Sequence, residues 1–556
     1  MKRWNGWGDE KNNFGFELTK TSQDYIENIL GKSTPLPAIT LNEAVAKVPK
    51  SRAPQHRLIN TDAEVRLRHC RGQSTPDWLA THSGDFGTFP DGVAFPKTTK
   101  EVQELLQLAK QENLIVIPYG GGTSVCGHIN PDENDHPIIT VALSEMNKLI
   151  TFDEQSQIAT FGAGTLGPDV EKQLSEYGYT LGHFPQSWEL STVGGWVASR
   201  SSGQQSLRYG RIEKMFAGGT METLQGTLDI PTFPASSAGP DIREMVLGSE
   251  GRMGIITEVK MRVTKIATEE KFYVAFFPSW QVGMEATREI AQNGVQLSMM
   301  RLSNEVETAS HLKLAGHDTA VKYLEKYLRL RGIPNSKSND KSSGNGNSDS
   351  KVMFTFGITG SKAQCKSALK ITKQFISKHK GVYIGTALGK HWQHSRFRSP
   401  YLRQGFWDAG IIVDTMETCI DWSTVDAAVK GMESDIANAL KSETGAETNS
   451  IQSSDEKIHV FTHLSHFYGQ GCSVYTTFLF RMDEDYDKTR QRWQTLKAAG
   501  AEAIVRHGGT ISHQHGVGKD HAPYLAAEKG ELGIKAIKDL CHTFDPEQRM
   551  NPGKLV

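Results

Sequence analysis

The chain has 556 residues, a formal net charge of −1 and 37% hydrophobic residues. That length supports two or three domains and a large core, and near-neutrality gives no pull towards nucleic acid, so no nucleic-acid partner is expected. No run approaches the roughly 20 apolar residues of a membrane span, and the six cysteines, scattered without a C-x-x-C, fit reduced cytosolic thiols better than a disulfide framework.

Residues 1 to about 80 are polar and mixed, with a helix expected near Ser22–Leu30 and the pair Trp4 and Trp7 expected in a surface groove. Met1–Asp9 has no apolar core and does not read as a secretory signal, and Gly553-Lys554-Leu555-Val556 is not a peroxisomal address. The expected location is therefore cytoplasmic.

From Phe89 the pattern changes to alternating elements. Val93–Pro96 reads as a strand, and Thr98 or Thr99 caps a helix carrying Val102, Leu105, Leu106 and Ala109 at helical spacing. Leu114–Ile117 is the next strand, ended by Pro118. It leads into Tyr119-Gly120-Gly121-Gly122-Thr123-Ser124. Three glycines leave backbone N–H groups unscreened, and Thr123 and Ser124 add hydroxyls, a set suited to a pyrophosphate. This is neither a Walker loop nor a G-x-G-x-x-G turn. Ile138–Leu143 and Ile158–Thr165 read as strands, and Pro168–Tyr177 as a helix that buries Val170 and Leu174.

Two further stretches are rich in small residues. Gly182–Gly203 places Gly-Gly-Trp between clusters of serine and threonine, leaving backbone and hydroxyls free for a large planar ligand. Leu247–Thr257 is a glycine-punctuated turn running into a strand.

Beyond residue 268 the expected strands are Lys271–Phe277, Ser298–Leu302, Val352–Ile358, Ile411–Thr418, Lys457–Leu464 and Ser473–Phe480. Helices are expected at Trp280–Gln292, Ser361–His379, Lys488–His507 and Leu532–Phe544. Asn335–Lys351 has no apolar residue and reads as a disordered insertion. Two histidine-bearing turns could do chemistry, Thr462–Tyr475 and Gly508–Lys519. Histidine can hold or move a proton near neutral pH, and tyrosine can once its pKa is lowered. The pairs His463 and His466, His391 and His394, and His513 and His515 could each supply two metal ligands. A site needs three or four that converge, so no metal is expected.

Pro118–Val125, His183–Gly203 and Gly248–Thr257, in this order, resemble the three flavin-contacting segments of the vanillyl-alcohol oxidase / p-cresol methylhydroxylase superfamily. The resemblance implies an α+β fold, with a two-subdomain FAD-binding domain and an α+β substrate or cap domain. Its expected boundaries are an N-terminal extension at 1–85, the FAD domain at 86–267, the cap at 268–500 and a C-terminal segment at 501–556 that returns to the flavin. Thr123 stands where members with histidyl-linked FAD carry their histidine, so the FAD is expected to be non-covalent. The implied cofactor-binding residues are Pro118, Tyr119, Gly120, Gly121, Gly122, Thr123, Ser124, His183, Gln186, Ser187, Thr192, Ser199, Arg200, Ser201, Ser202, Glu250, Gly251, Gly254, Ile255 and Ile256.

Trp4–Gly8, Ser191–Trp196, Gly239–Ile242, Arg301-Leu302 and the Val474-Tyr475 pair narrow the resemblance to the alkyldihydroxyacetonephosphate synthase family of ether-lipid synthesis. That family exchanges the acyl group of acyl-dihydroxyacetone phosphate for a fatty alcohol, with flavin N5 as the covalent handle. Carried over, Tyr475 is the catalytic acid/base, needing a cationic neighbour to lower its pKa. Arg403 is the phosphate-binding arginine, Arg301 a second required arginine, and His513 and His515 the outer members of a histidine run. Gln514 departs from the family's middle histidine and cannot take a proton at neutral pH. An FAD-dependent dehydrogenase or oxidase of a D-2-hydroxy acid or polyol phosphate is the alternative. The expected partner is a small molecule, a lipid phosphate on the first reading. Peripheral membrane contact and a homodimer are compatible with the sequence, which fixes neither.

Overall fold

Apolar runs interrupted by glycine and proline give this chain short strands, and most of its helices carry one buried stripe. The computed structural model describes residues 2–10, 18–314, 318–334, 350–441 and 456–556. Its strands form sheets of four, five, two and seven members.

The four-stranded sheet contains the predicted βαβ unit. Gly92–Ala94 and Ile115–Tyr119 lie parallel to Ile138–Ala142 on either side of it, and Ile59–Asn60 adds antiparallel to Gly92–Ala94. The helix Thr99–Gln111 crosses between them, with the Thr98 side chain accepting from the Glu101 N–H. Val102, Leu105, Leu106 and Ala109 are buried as their spacing required, each larger side chain contributing about 1.5–3 kcal/mol.

Pro118 does not end its strand, which runs on through Tyr119. Ile115–Tyr119 is an edge strand, where a missing N–H costs no ladder bond. The C-terminal chain pairs with that edge at Val116 alone, through Met550.

The five-stranded sheet is antiparallel and places Ile255–Arg262 between Ile158–Gly162 and Phe216–Thr223. The Gly-Gly-Trp stretch lies in the short helix Val193–Ala198, capped by Thr192. A Cβ at Gly194 would meet the Ala163 backbone oxygen at 2.8 Å, so glycine lets this helix lie against the sheet.

The seven-stranded sheet is antiparallel and forms the second half. In its spatial order, Met299–Ser303, His459–Phe467, Gly471–Arg481 and Ile411–Asp421 are neighbours. Register sets Glu417, Tyr475 and His463 side by side on one face. Leu464, Val474 and Phe478 are fully buried within the core behind it. The helices Trp280–Gln292, Lys362–Lys378, Tyr486–Arg506 and Ala522–Phe544 agree with the sequence reading to within a few residues, except that the last starts ten residues earlier and contains a break at Gly530.

Two expectations change. Trp7 is buried, edge-on to Tyr401 at 6.5 Å, because the chain around it folds against the helix Ser399–Asp408. The insertion read as disordered lies outside the described residues over 335–349; its last residue, Lys351, is buried with its ammonium 3.1 Å from Glu325.

Candidate active site

One face of the seven-stranded sheet, the triple-glycine loop and the small-residue segments enclose a cavity of about 540 Å³, the size of a small-molecule site. Its walls include Pro118–Val125, Gln186, Ser187, Thr192, Ser199, Ser201, Ser202, Glu250, Gly251, Gly254 and Ile256. The sheet and the second half add Arg301, Arg403, His463, Tyr475, Gln514 and His515.

The loop glycines are required for different reasons. A Cβ on Gly120 would meet Thr192 Oγ1 at 2.4 Å, and one on Gly121 would meet the Leu190 carbonyl oxygen at 1.7 Å. Gly122 has φ +67°, the left-handed region. The loop is thus wedged against residues 190–192. Lys2 Nζ donates to the Gly121 carbonyl at 2.6 Å from the other side. Gly121→Ala must displace backbone, and is expected to yield folded protein that purifies with little flavin, read from the visible absorbance per polypeptide.

Ser124 Oγ lies 2.7 Å from His128 Nδ1, and His128 Nε2 lies 3.2 Å from Glu250. The Glu250 carboxylate also accepts from the Gly518 N–H at 2.8 Å, so it ties the first loop to the C-terminal segment. Burial alone would lower the His128 pKa; the Glu250 carboxylate outweighs it and raises it.

The polar groups of the wall, donors and acceptors, fit FAD. Ser202 Oγ, Ser249 Oγ and Gln204 Oε1 are buried on the cavity wall with no partner among the described residues, beside the bare backbone of Gly120–Gly122. Thr123 offers a hydroxyl and no imidazole for a histidyl link to the flavin, and His128 is held between Ser124 and Glu250. Acid precipitation should therefore release the yellow colour into the supernatant; colour kept in the pellet would mean a covalent link.

Four predicted residues do not reach the cavity wall. His183 is fully buried, with Nε2 3.1 Å from Ser201 Oγ, and burial drives its pKa down to about 3. Ile255 faces the core, since strand alternation gives the cavity to Ile256. Arg200, at φ 52°, turns its guanidinium outwards to Glu244 at 3.0 Å. His513 lies behind the wall, where Arg211 donates to its Nε2 and Tyr468 Oη lies 2.8 Å from the same nitrogen. With Nε2 accepting, the ring proton sits on Nδ1, 3.6 Å from Glu417. Burial, aided by Arg211, lowers the His513 pKa.

Glu417 was not singled out from the sequence, yet it organises this corner. It is buried and accepts from the Gln514 N–H at 2.7 Å and the His515 N–H at 3.0 Å, and His515 Nδ1 lies 3.5 Å away. Burial would raise its pKa, but His515, His513 and the Gln514 N–H hold it well below the usual carboxylate range. The Gln514 side chain faces the cavity, between these two histidines in sequence.

Tyr475 and His515 lie together on the cavity wall, their rings 6.1 Å apart. The Tyr475 ring stacks on His463 at 4.9 Å, and its hydroxyl donates to Thr415 Oγ1 at 3.2 Å. Its pKa is not lowered; burial pushes it up to about 12, because no cation bonds its oxygen. The residue is a neutral phenol, a proton donor, at physiological pH.

The two arginines differ. Arg301 is paired with Glu307 at 2.6 Å and lies 3.2 Å from His463 Nδ1. Among the described residues Arg403 has no carboxylate within ion-pair distance. It donates to the Gln73 carbonyl and to Thr75 Oγ1 (2.7 Å), stacks on Trp78 at 4.5 Å, and leaves its Nε without a protein partner. Gln73, Thr75 and Trp78 were missed as site residues. They precede residue 86, and only the fold brings their short helix, Thr75–Ser83, to the cavity. Of the histidine pairs considered for metal, His463 is engaged with Arg301 and Glu307, and His394 Nδ1 bonds the Lys390 carbonyl. No group of three or more His, Cys, Asp or Glu side chains placed to hold a metal ion occurs among the described residues.

Comparison with known proteins agrees with this geometry. The family model "FAD linked oxidases, C-terminal domain" matches residues 266–555, and "FAD binding domain" matches 90–229. Alkyldihydroxyacetonephosphate synthase of Trypanosoma brucei brucei is 27% identical, over 100% of this chain and 92% of its own. The Dictyostelium discoideum protein of that name is 29% identical, over 90% and 78%. Mitochondrial D-lactate dehydrogenase (cytochrome) of Arabidopsis thaliana is 25% identical, over 84% and 73%. A solved alkyldihydroxyacetonephosphate synthase superposes with a TM-score of 0.81 at 26% identity, covering 100% of this chain and 99% of that one. p-Cresol methylhydroxylase shares the fold, with a TM-score of 0.66 at 12% identity over 94% and 98%. With more than half its length matched by the first model, the chain belongs to the FAD-linked oxidase family and is an FAD-dependent enzyme.

Proposed function

We propose that the protein exchanges the acyl group of acyl-dihydroxyacetone phosphate for a fatty alcohol, a redox-neutral step of ether-lipid synthesis. The observation that carries this reading is Arg403, a guanidinium with no carboxylate within ion-pair distance among the described residues, on the wall that also holds Tyr475. Full-length similarity to alkyldihydroxyacetonephosphate synthases, with D-lactate dehydrogenase more distant, supports it.

FAD, held by the loop and small-residue segments, would supply an electrophilic ring for covalent chemistry beside the substrate. The chain supplies the rest. Arg403 binds the phosphate through its planar fork. Tyr475 gives up and recovers a proton at its hydroxyl, with Thr415 Oγ1 holding that oxygen in place. His515, held by Glu417, is the neighbouring proton carrier. Met299, Met300, Trp392, Leu402, Phe406 and Phe461 give the wall an apolar stretch for an alkyl chain.

Among the described residues no helix is long and apolar enough to cross a membrane. Peripheral contact from the cytoplasm is the setting this reading implies, since its substrates partition into lipid. Gln514 favours a second reading, oxidation of a small hydroxy acid, because it removes one ionisable group from the proton-handling turn. Anaerobic mixing separates the two. Bleaching of the oxidised flavin band by acyl-dihydroxyacetone phosphate, reversed by fatty alcohol, supports the exchange. Stable reduction by a D-2-hydroxy acid, with no response to the phosphate ester, supports oxidation.

A further inference from the structure

Asp414 carries no role in the exchange as described, yet it touches both halves of the site. It lies on the strand Ile411–Asp421, and burial would raise its pKa. Lys497 and Arg403, the Trp493 indole N–H and the Thr415 N–H outweigh burial and keep the carboxylate charged. One carboxylate oxygen accepts from Thr75 Oγ1 at 2.8 Å and from Trp493 Nε1. The other accepts from the Thr415 N–H at 2.6 Å.

The direction of the first chain is fixed by chemistry. A guanidinium only donates, so Thr75 Oγ1 accepts from Arg403 Nη2 at 2.7 Å, and the one Thr75 proton goes to Asp414. Asp414 thus balances Arg403 through a hydroxyl and leaves the guanidinium Nε for an anion. The second chain runs the other way. Asp414 fixes the Thr415 backbone, and Thr415 Oγ1 receives the Tyr475 proton at 3.2 Å.

We propose that Asp414 is a positioning residue that sets the anion clamp through Thr75 and the proton donor through Thr415. The proposal rests on Arg403 as phosphate clamp and on Tyr475 as proton donor. It differs from a general structural role because the two arms should separate. In FAD-loaded enzyme, Thr75→Val breaks only the clamp arm. It should weaken binding of inorganic phosphate, followed by the flavin difference spectrum, and raise KM, each about tenfold, with kcat unchanged. Thr415→Val breaks only the other arm and should lower kcat about tenfold, with phosphate binding unchanged. Asp414→Asn keeps the shape but sets an amide N–H or a neutral oxygen against one of its donors, and should shift both quantities.

Three single variants that each shift both quantities alike, or a Thr75→Val protein that binds phosphate like wild type, would overturn the proposal. If Asp414→Asn fails to fold by thermal melt, the split between Thr75→Val and Thr415→Val still decides. Wild type that gives no phosphate response overturns the clamp reading, and the proposal with it. A response lost in Arg403→Lys but kept in Thr75→Val overturns the proposal alone.

Discussion

Tyr475→Phe is expected to lower turnover by about 10²–10⁴-fold while the protein keeps its flavin. The substitution removes one oxygen and leaves the ring stacked on His463, so packing changes little. What disappears is the proton donor and its bond to Thr415 Oγ1. Because burial places the phenol pKa at about 12, the wild-type residue stays protonated well above neutral pH. Loss of activity on the alkaline side should therefore not coincide with an unperturbed tyrosine near 10. Stopped-flow turnover across pH, alongside flavin content, checks both statements. A Tyr475→Phe enzyme with near-normal turnover would remove Tyr475 from the chemistry.

Arg403→Lys should raise KM for the phosphorylated substrate by roughly 10- to 100-fold, the loss of about 1.5–3 kcal/mol from a charge-assisted bond. Lysine keeps the charge but loses the fork and the stacking on Trp78. Arg301 is expected to respond differently. Its guanidinium is committed to Glu307, which is held charged well below its usual range despite burial, so removing Arg301 leaves a buried carboxylate unpaired. Titration of flavin absorbance with dihydroxyacetone phosphate measures the clamp directly. Equal affinity in wild type and Arg403→Lys would show that the phosphate sits elsewhere.

Local elements were legible because their causes are local. Val102, Leu105, Leu106 and Ala109 behind a threonine cap could form little else than the helix Thr99–Gln111. The glycine loop was legible because unscreened backbone is visible as composition. The errors arise where a side chain's direction depends on tertiary packing. His183 and Ile255 sit within segments that line the cavity but themselves face the core. Pro118 was read as a stop because its edge position depends on strand order, which one strand does not reveal. Glu417 was invisible for a related reason: it is one of three acids in the strand Ile411–Asp421, spaced without a motif, and only the register opposite Tyr475 gives it meaning. The Tyr475 pKa went the other way from expectation because burial, with the Glu417 and Asp414 carboxylates adding to it, outweighs the Thr415 hydrogen bond and Arg301.

The central claim is that this flavoenzyme transfers a group without net oxidation. The most direct measurement is a product balance. Enzyme is incubated in air with acyl-dihydroxyacetone phosphate and a fatty alcohol while released fatty acid, ether product and oxygen uptake are measured together. Fatty acid and ether formed in equal amounts, with no oxygen consumed and no added electron acceptor reduced, is the predicted result. Absence of ether, or oxygen consumed in step with loss of the phosphate ester or the alcohol, would contradict it.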